Sequence, residues 1–301
     1  MAILKINNLT IKSKIDNIHI IDKLSLSFKE NSFNTIIGKT NSGKTVLAHS
    51  IFNILHKNLE LESGDILYKE KSIFQIKDYD SYRGNDVAIL FNNPRIIFNN
   101  NFRVEKQIID MLLLKKKYNN KKEIRLKLKE FSDLLDLDYD LIASYPKNID
   151  NKNIKKVAII LLLLFKPKII IIDDSFHRLD SITVKLIYLL LKELKSKYTV
   201  LFFTSINSSI LTLSDYVHYI YDGKIIESLN YNKIDSYKKI HPYRMLFNNE
   251  VSVNSSDDNL TDLSKACIYY KMCFKRENSC LNFENTLKEV EEEHFLSCVE
   301  D

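Results

Sequence analysis

Two glycines, a lysine and a threonine stand at the spacing of a phosphate-binding loop. Residues 38–45 read G-K-T-N-S-G-K-T and match the pattern G-x-x-x-x-G-K-T. In such a loop, backbone N–H groups and a helix N-terminus bind phosphate oxygens, the lysine adds a positive charge, and the threonine hydroxyl ligates Mg²⁺. The candidate nucleotide ligands are Gly38, Asn41, Ser42, Gly43, Lys44 and Thr45.

A second candidate metal ligand follows a short apolar run further along the chain. Residues 169–172 are four isoleucines, and Asp173 and Asp174 come directly after them. Ligands of parallel α/β sheets bind at the carboxyl ends of the strands, so these carboxylates are expected near the phosphate loop. We predict that Asp173 and Thr45 hold the Mg²⁺ ion, Asp173 through water.

The elements around these residues predict an α/β fold. Residues 34–37 indicate a buried strand and residues 46–52 a helix, which is the setting that the loop requires. Strand patterns precede the loop, and residues 64–68 predict another strand after a turn. A helical face recurs within residues 95–160, and helices alternate with strands over 157–225, which predicts a parallel sheet covered on both faces. A last hairpin is predicted to turn at Asp222-Gly223.

Composition excludes few partners, but it limits the choice. The chain has 301 residues and a net charge of +5, from 44 basic and 39 acidic side chains. This surplus suits anionic nucleotides or a cytoplasmic membrane face, and it is too small and scattered to predict nucleic-acid binding. The longest apolar run, residues 157–165, is shorter than the ~20 residues of a membrane span. We therefore expect a chain without a targeting segment that does not cross a membrane by itself.

Further motifs give a resemblance to a family. Tyr145-Pro146, Pro167-Lys168, Leu179-Asp180 and residues 222–227 stand where the nucleotide-binding subunits of ABC transporters have similar residues. The chain resembles these subunits over residues 1–235. The resemblance implies a RecA-like parallel sheet core, an N-terminal antiparallel β region and a helical subdomain at about 95–160. It also implies ATP and Mg²⁺, a second ATPase subunit, two membrane permeases at the cytoplasmic face and an extracytoplasmic binding protein.

The chain departs from the family pattern at the residues that serve hydrolysis. Asp150 and Asn151 lie in place of the glycine-containing signature loop that contacts the partner's ATP. Asp174 replaces the catalytic glutamate, Ser205 the switch histidine, and Asn92 the glutamine near the metal and the attacking water. An Asp is one C–C bond shorter than Glu, and misplacement by ~1 Å can lower a rate on the order of 10²-fold.

The losses are uneven, because the residues that hold phosphate and metal are retained. We expect ATP binding with weak or absent hydrolysis in this site, and a heterodimer with a more regular subunit. An ordinary ATPase and a non-hydrolysing structural subunit remain alternatives, as does a P-loop protein outside transport. The adenine-stacking aromatic of the family is also missing before Ser27, where His19 is the only ring.

The four cysteines lie in the last 35 residues, and they are Cys267, Cys273, Cys280 and Cys298. Together with the motif His241-Pro242-Tyr243, they resemble the C-terminal extension of oligopeptide, dipeptide and nickel importer ATPases, here residues 236–301. The resemblance implies that the four thiolates hold an iron–sulfur cluster, the usual complement for a [4Fe–4S] group. Zinc held by four sulfurs and free buried thiols stay open. The implied cargo is a peptide, with a nickel chelate as the alternative.

Overall fold

The protein is described by a computed structural model that covers residues 1–173, 181–205, 209–247 and 265–299. Two compact units are present. The first comprises Met1–Phe74 and Phe203–Asp301, and the second comprises Gln75–Phe202. The boundary between Phe202 and Phe203 therefore falls inside a strand, Thr199–Thr204.

Twelve strands and eight α-helices are formed by the described residues. The strands are β1 (Ala2–Ser13), β2 (His19–Lys29), β3 (Phe33–Ile37), β4 (Leu59–Tyr68), β5 (Lys71–Ser72), β6 (Val87–Leu90), β7 (Ile169–Asp173), β8 (Thr199–Thr204), β9 (Tyr216–Tyr221), β10 (Lys224–Asn230), β11 (Lys288–Glu291) and β12 (His294–Leu296). The helices are α1 (Lys44–Ile51), α2 (Tyr79–Tyr82), α3 (Val104–Leu114), α4 (Lys121–Leu134), α5 (Tyr139–Ile142), α6 (Asn151–Phe165), α7 (Ser181–Leu194) and α8 (Pro242–Met245).

The first unit contains two β arrangements. The N-terminal strands form an antiparallel sheet in the order β2-β1-β4-β5, as the sequence predicted. A mixed arrangement runs β11-β12-β10-β9-β3, in which β3 and β9 are parallel and the other pairs antiparallel. The predicted hairpin at Asp222-Gly223 is confirmed, with φ of 45° and 76° at the two turn residues. Positive φ at both positions is the geometry of a tight hairpin turn.

The strand predicted at residues 64–68 is present as part of β4, but β4 already begins at Leu59, so the turn predicted just before this strand was wrong. Gly64 lies inside β4, with a φ of 84°, at a register shift between β4 and β1. A Cβ on Gly64 would lie 2.3 Å from the carbonyl oxygen of Asn8, so only glycine fits this bulge. A glycine flanked by polar residues gives the same local pattern in a turn and in a bulge, and only the pairing with β1 distinguishes them.

The last part of the chain is anchored to β10 by a buried ion network in the first unit. Glu227 is fully buried, and its Oε1 accepts hydrogen bonds from Arg244 at 3.0 Å and contacts His294 Nε2 at 3.1 Å. Nearby, hydrogen bonds from Asn230 and Lys29 lower the pKa of Glu293 to about 2. Arg244 and strand β12 are therefore held against β10.

The second unit contains the parallel pair β6 and β7 and the helices α2 to α7. Val87 pairs with Ile169, and Leu90 pairs with Ile172. The predicted amphipathic helix corresponds to α4, where Ile124 and Leu128 are fully buried. The helical character of residues 95–160 is confirmed, whereas the domain boundaries at 95, 160 and 235 remain predictions. No helix formed by the described residues is long and apolar enough to cross a bilayer.

Candidate functional site

The phosphate loop connects a fully buried strand to a helix, as its sequence pattern requires. All five residues of β3 are buried, and α1 begins at Lys44. A Cβ on Gly38 would lie 2.4 Å from the carbonyl oxygen of Ile220 and 2.6 Å from Ser42 Oγ. The chain therefore passes so close to β9 that no side chain fits at Gly38.

Residues with left-handed backbone lead from the phosphate loop into α1. Gly43 has a φ of 97°, and a Cβ there would lie 2.8 Å from the Ile20 carbonyl oxygen. Asn41 also has a positive φ, 67°, in a region where asparagine is among the better-tolerated residues. Backbone of this kind can turn successive N–H groups of a loop towards one side, and such an arrangement binds anions.

Lys44 holds its ammonium group against the loop itself. Its Nζ donates to the carbonyl oxygens of Gly38 and Lys39, each at 2.7 Å, and lies 3.4 Å from Ser42 Oγ. The residue is buried, and its charge lies against the carbonyl oxygens of the loop. A bound phosphate offers this ammonium a stronger, charge-assisted partner than the two carbonyls. Thr45, the next residue, is exposed.

Two other segments of the first unit lie beside this loop. The Gly38 N–H donates to the Thr204 carbonyl at 3.2 Å, which places the end of β8 next to the loop and Ser205 directly after it. The hairpin turn also reaches the loop, because the Gly223 N–H donates to the Ser42 carbonyl at 3.1 Å. Ser205 therefore comes directly after a residue that bonds the phosphate loop, and its role at the phosphate site remains a prediction.

The remaining predicted metal and catalytic residues lie in the second unit. Asp173 is the last residue of β7 and is 1% exposed, whereas Asn92 is exposed. Asp174 lies outside the described residues, as does the motif Leu179-Asp180. Because Thr45 belongs to the first unit, the proposed Mg²⁺ set of Thr45, Asp173 and Asn92 remains a prediction.

Asp150 caps a helix at the position of the altered signature loop. Its Oδ1 accepts the Asn153 N–H at 2.8 Å, and its Oδ2 accepts from the Asn153 amide at 2.7 Å. The bond from the backbone N–H contributes most to lowering the pKa of this carboxyl, so Asp150 is ionised at neutral pH. The carboxylate thus does the N-capping work that a serine also performs, and it leaves a negative charge at the start of α6.

Arg95 organises this segment, and sequence analysis missed it. Its guanidinium donates to Asn151 Oδ1 at 3.0 Å, to the Pro146 carbonyl at 2.7 Å and to the Ile149 carbonyl. Arg95 follows Asn92 by three residues, so one side chain links the segment of Asn92 to the signature segment within the second unit. The signal available in sequence was a lone arginine after Asn93-Pro94, which has no specific pattern.

The four cysteines line one small cavity in the first unit. Tyr269, Tyr270, His241 and Pro242 also contribute to its wall. None of the thiols forms a disulfide, and the Cys267 N–H donates to the Cys280 carbonyl at 2.7 Å. Burial, followed by the neighbouring thiols, raises the pKa of Cys267 to about 11. The donor set fits a sulfur-ligated metal, but in the described ranges no group of three or more potential ligands is arranged as a metal site.

His19, the only ring at the expected adenine side, is engaged with another side chain. Its Nε2 lies 2.7 Å from Glu62 Oε2, and the exposed apolar residues of this turn are Ile15 and Ile18. The carbonyl of Ile20 lies against Gly43, so this turn is close to the phosphate loop.

These features define a P-loop nucleotide-binding protein: a buried strand, a loop whose two glycines leave no room for a Cβ, and a lysine bonded back to the loop. The sequence model of the ABC transporter family matches residues 21–177, more than half of the chain. The protein belongs to the ABC transporter family, and the resemblance stated from its motifs is confirmed.

Curated relatives extend over most of the chain. The dipeptide transport ATP-binding protein DppD of Caldanaerobacter subterraneus subsp. tengcongensis is 29% identical over 242 residues, which are 78% of this chain and 73% of the relative. The oligopeptide transport ATP-binding protein OppF of Streptococcus mutans is 26% identical, over 77% and 75%. The nickel import system ATP-binding protein NikD of Staphylococcus aureus (strain MRSA252) is 25% identical, over 81% and 93%.

Solved structures support the fold class. The ATP-binding cassette MJ0796, in a dimeric post-hydrolysis state with ADP and Pi, matches with a TM-score of 0.67 and 21% identity. The match covers 76% of this chain and 98% of the cassette. The subunit cbiO1 of Clostridium perfringens matches with a TM-score of 0.62 and 22% identity, over 79% and 92%. The α/β cassette fold predicted from the sequence is therefore confirmed.

Proposed function

We propose that this protein is the ATP-binding subunit of an ABC importer. The observation that supports this most directly is the phosphate loop, in which Gly38 and Gly43 leave no room for side chains and Lys44 is buried. The relatives' names point to peptides as cargo, with a nickel complex as the alternative. Two membrane permeases and an extracytoplasmic binding protein complete the proposed transporter, and this chain works at the cytoplasmic face of the membrane.

Each retained residue has a defined task in binding. Loop N–H groups between Asn41 and Thr45 bind the phosphate oxygens, and Lys44 exchanges its two carbonyl partners for them. Thr45 and Asp173 are the oxygen donors for Mg²⁺, whose chemistry is to neutralise charge between the outer phosphates. Asn92 contributes an amide oxygen near this metal in the same proposal.

We propose further that hydrolysis in this chain's own site is weak. Ser205 follows Thr204, whose carbonyl bonds the loop, and its short hydroxyl replaces an imidazole there. Asp174 and Asn92 are each one methylene shorter than the residues of the family pattern. At the signature segment, the ionised Asp150 would face the partner's phosphates with a like charge. A more regular second ATPase subunit would compensate, which favours a heterodimer.

The test compares binding with turnover. Calorimetry with MgATP should give saturable binding to the wild-type chain and none to Lys44→Ala. Phosphate release should be slow, and the triple reversion Asp174→Glu, Ser205→His and Asn92→Gln should raise it by at least about 10²-fold, the usual value of a correctly placed catalytic group. Absence of MgATP binding would refute the proposed function. Rapid turnover by the wild-type chain alone would refute only the weak-hydrolysis part.

The cysteine cavity supports a second proposal, a sulfur-ligated metal in the C-terminal extension. Four thiols on one cavity provide the complement of an iron–sulfur cluster, and tetrahedral zinc is the alternative. A thiol must lose its proton to bind a metal, so loading should be pH-dependent. Anaerobic purification followed by iron, sulfide and zinc analysis distinguishes the two, with Cys273→Ser as the control. Protein containing neither iron nor zinc would contradict this proposal.

A further inference from the structure

The C-terminal extension makes direct contact with the phosphate loop. The Lys39 N–H donates to the Tyr243 hydroxyl oxygen at 2.8 Å, although 204 residues separate the two in sequence. The carbonyl oxygen of the same Lys39 accepts the Lys44 ammonium at 2.7 Å. One residue of the loop is thus held by the extension on its N–H side and holds the phosphate-binding lysine on its carbonyl side.

The backbone at Tyr243 is fixed by a hydrogen bond of its own N–H and by an ion pair of the next residue. It is fully buried at the start of α8, where its N–H donates to His241 Nδ1 at 3.1 Å. The following residue, Arg244, is bonded to the buried Glu227 of β10. A helix start fixed by these two contacts leaves the tyrosine hydroxyl little freedom to follow a displaced loop.

Aromatic contacts fix the ring itself. Tyr221, Tyr269 and Phe247 surround it edge-on, with ring centroids 5.2, 5.3 and 5.2 Å away. Such pairs add about 0.5–1.5 kcal/mol each beyond their burial. Tyr269 is also part of the wall of the cysteine cavity, so the ring cluster extends from the thiols to the loop.

We propose that Tyr243 is a positioning residue of the nucleotide site, through which the C-terminal extension holds the phosphate loop in its binding conformation. This inference rests on the proposed function, because it concerns affinity for the same nucleotide. A loop that is already ordered loses less conformational freedom when phosphate binds, so the hydroxyl strengthens binding without touching the ligand. An ATPase core that ends before residue 236 lacks this contact.

The chain offers matched controls for the test. Tyr243→Phe removes only the hydroxyl that accepts the Lys39 N–H. Tyr269→Phe removes a hydroxyl from the same ring cluster that has no hydrogen-bond partner among the described residues. Tyr237→Phe removes a hydroxyl of the same apolar cluster that bonds the Glu292 carbonyl at 3.1 Å. The second control therefore loses a real hydrogen bond that does not involve the loop.

Titration of each full-length variant with MgADP measures affinity without turnover. Tyr243→Phe should bind about 2- to 10-fold more weakly, the change expected for one neutral hydrogen bond. Both control variants should bind MgADP as the wild type does. Unchanged or tighter binding by Tyr243→Phe would overturn the inference, as would equal weakening in the controls. Wild-type protein that does not bind MgADP would instead refute the proposed function.

A second measurement applies even if Tyr243→Phe does not fold. Hydrogen exchange of the wild-type protein without nucleotide should show the Lys39 amide protected, because this N–H donates a hydrogen bond to a buried hydroxyl. Exchange of this amide at the rate of an unprotected peptide would overturn the inference independently of any variant.

Discussion

Replacement of Arg95 should release the signature segment from its neighbours. The guanidinium donates three hydrogen bonds to that segment, to Pro146, Ile149 and Asn151. Arg95→Ala removes all three donors and leaves two backbone carbonyls to find water. Arg95→Lys keeps the charge but cannot reproduce a planar fork that reaches three acceptors.

The expected magnitude follows from the geometry. A hydrogen bond from a charged donor contributes about 1.5–3 kcal/mol net, and Arg95 is only half-buried, so the three bonds together should contribute about 2–4 kcal/mol. Because about 1.4 kcal/mol corresponds to a factor of ten, protection of the amides at residues 149–153 should fall about 30- to 700-fold. Arg95→Lys should lie between Arg95→Ala and the wild type.

Hydrogen exchange is the suitable assay, because a chain with two compact units does not have to unfold in a single step. Arg125→Ala is the matched control, since that exposed guanidinium makes one ion pair, to Glu105 at 3.0 Å, in the same unit. An exposed pair contributes about 0–1 kcal/mol, so the control should leave exchange at residues 149–153 unchanged. Equal protection of this segment in Arg95→Ala and Arg125→Ala would refute the reasoning.

Three more changes have defined outcomes. Gly43→Ala should abolish MgATP binding in calorimetry because of its positive φ and the close carbonyl. Gly84, in the second unit, also has a positive φ of 84°, but a Cβ there meets only the Phe165 ring at 3.2 Å, and Gly84→Ala should lower only the unfolding temperature. Glu227→Gln leaves Arg244 without its buried countercharge and should destabilise the first unit by about 3–5 kcal/mol in urea unfolding. The pKa of Glu293 is lowered in the folded protein, so this carboxylate stabilises the fold at pH values above its unfolded pKa of about 4.5. The contribution is lost as the pH falls towards 2. Glu293→Gln should therefore show a flatter loss of stability over that range, and an unchanged acid profile would contradict the assignment.

Much of the site could be predicted because its signal is local. Residues 38–45 fix a strand–loop–helix turn through two glycines: Gly38, where no Cβ fits, and Gly43, which has left-handed backbone. The runs at β7 and β8 and the turn at Asp222-Gly223 were predicted for the same reason. The bulge at Gly64 was not predicted, because it depends on pairing with a strand more than fifty residues away.

The role of Asp150 shows how a correct position can acquire a different meaning. Its sequence position indicated a charge replacing a phosphate donor. The structure adds a capping bond to Asn153, which explains why an acidic residue is tolerated at the start of α6. The sequence predicted where Asp150 lies, but only the structure shows that it caps the helix that follows.

By itself, the sequence determined the family and the phosphate loop, because both depend on short motifs of neighbouring residues whose backbone geometry is fixed locally. The positions predicted to serve hydrolysis were also identified from such motifs. Only the tertiary structure decided that Arg95 bonds a segment more than fifty residues away, that four scattered cysteines line one cavity, and that Tyr243 accepts the Lys39 N–H. These contacts join residues far apart in the chain, and their distances follow from how the sheets and helices pack rather than from any local spacing.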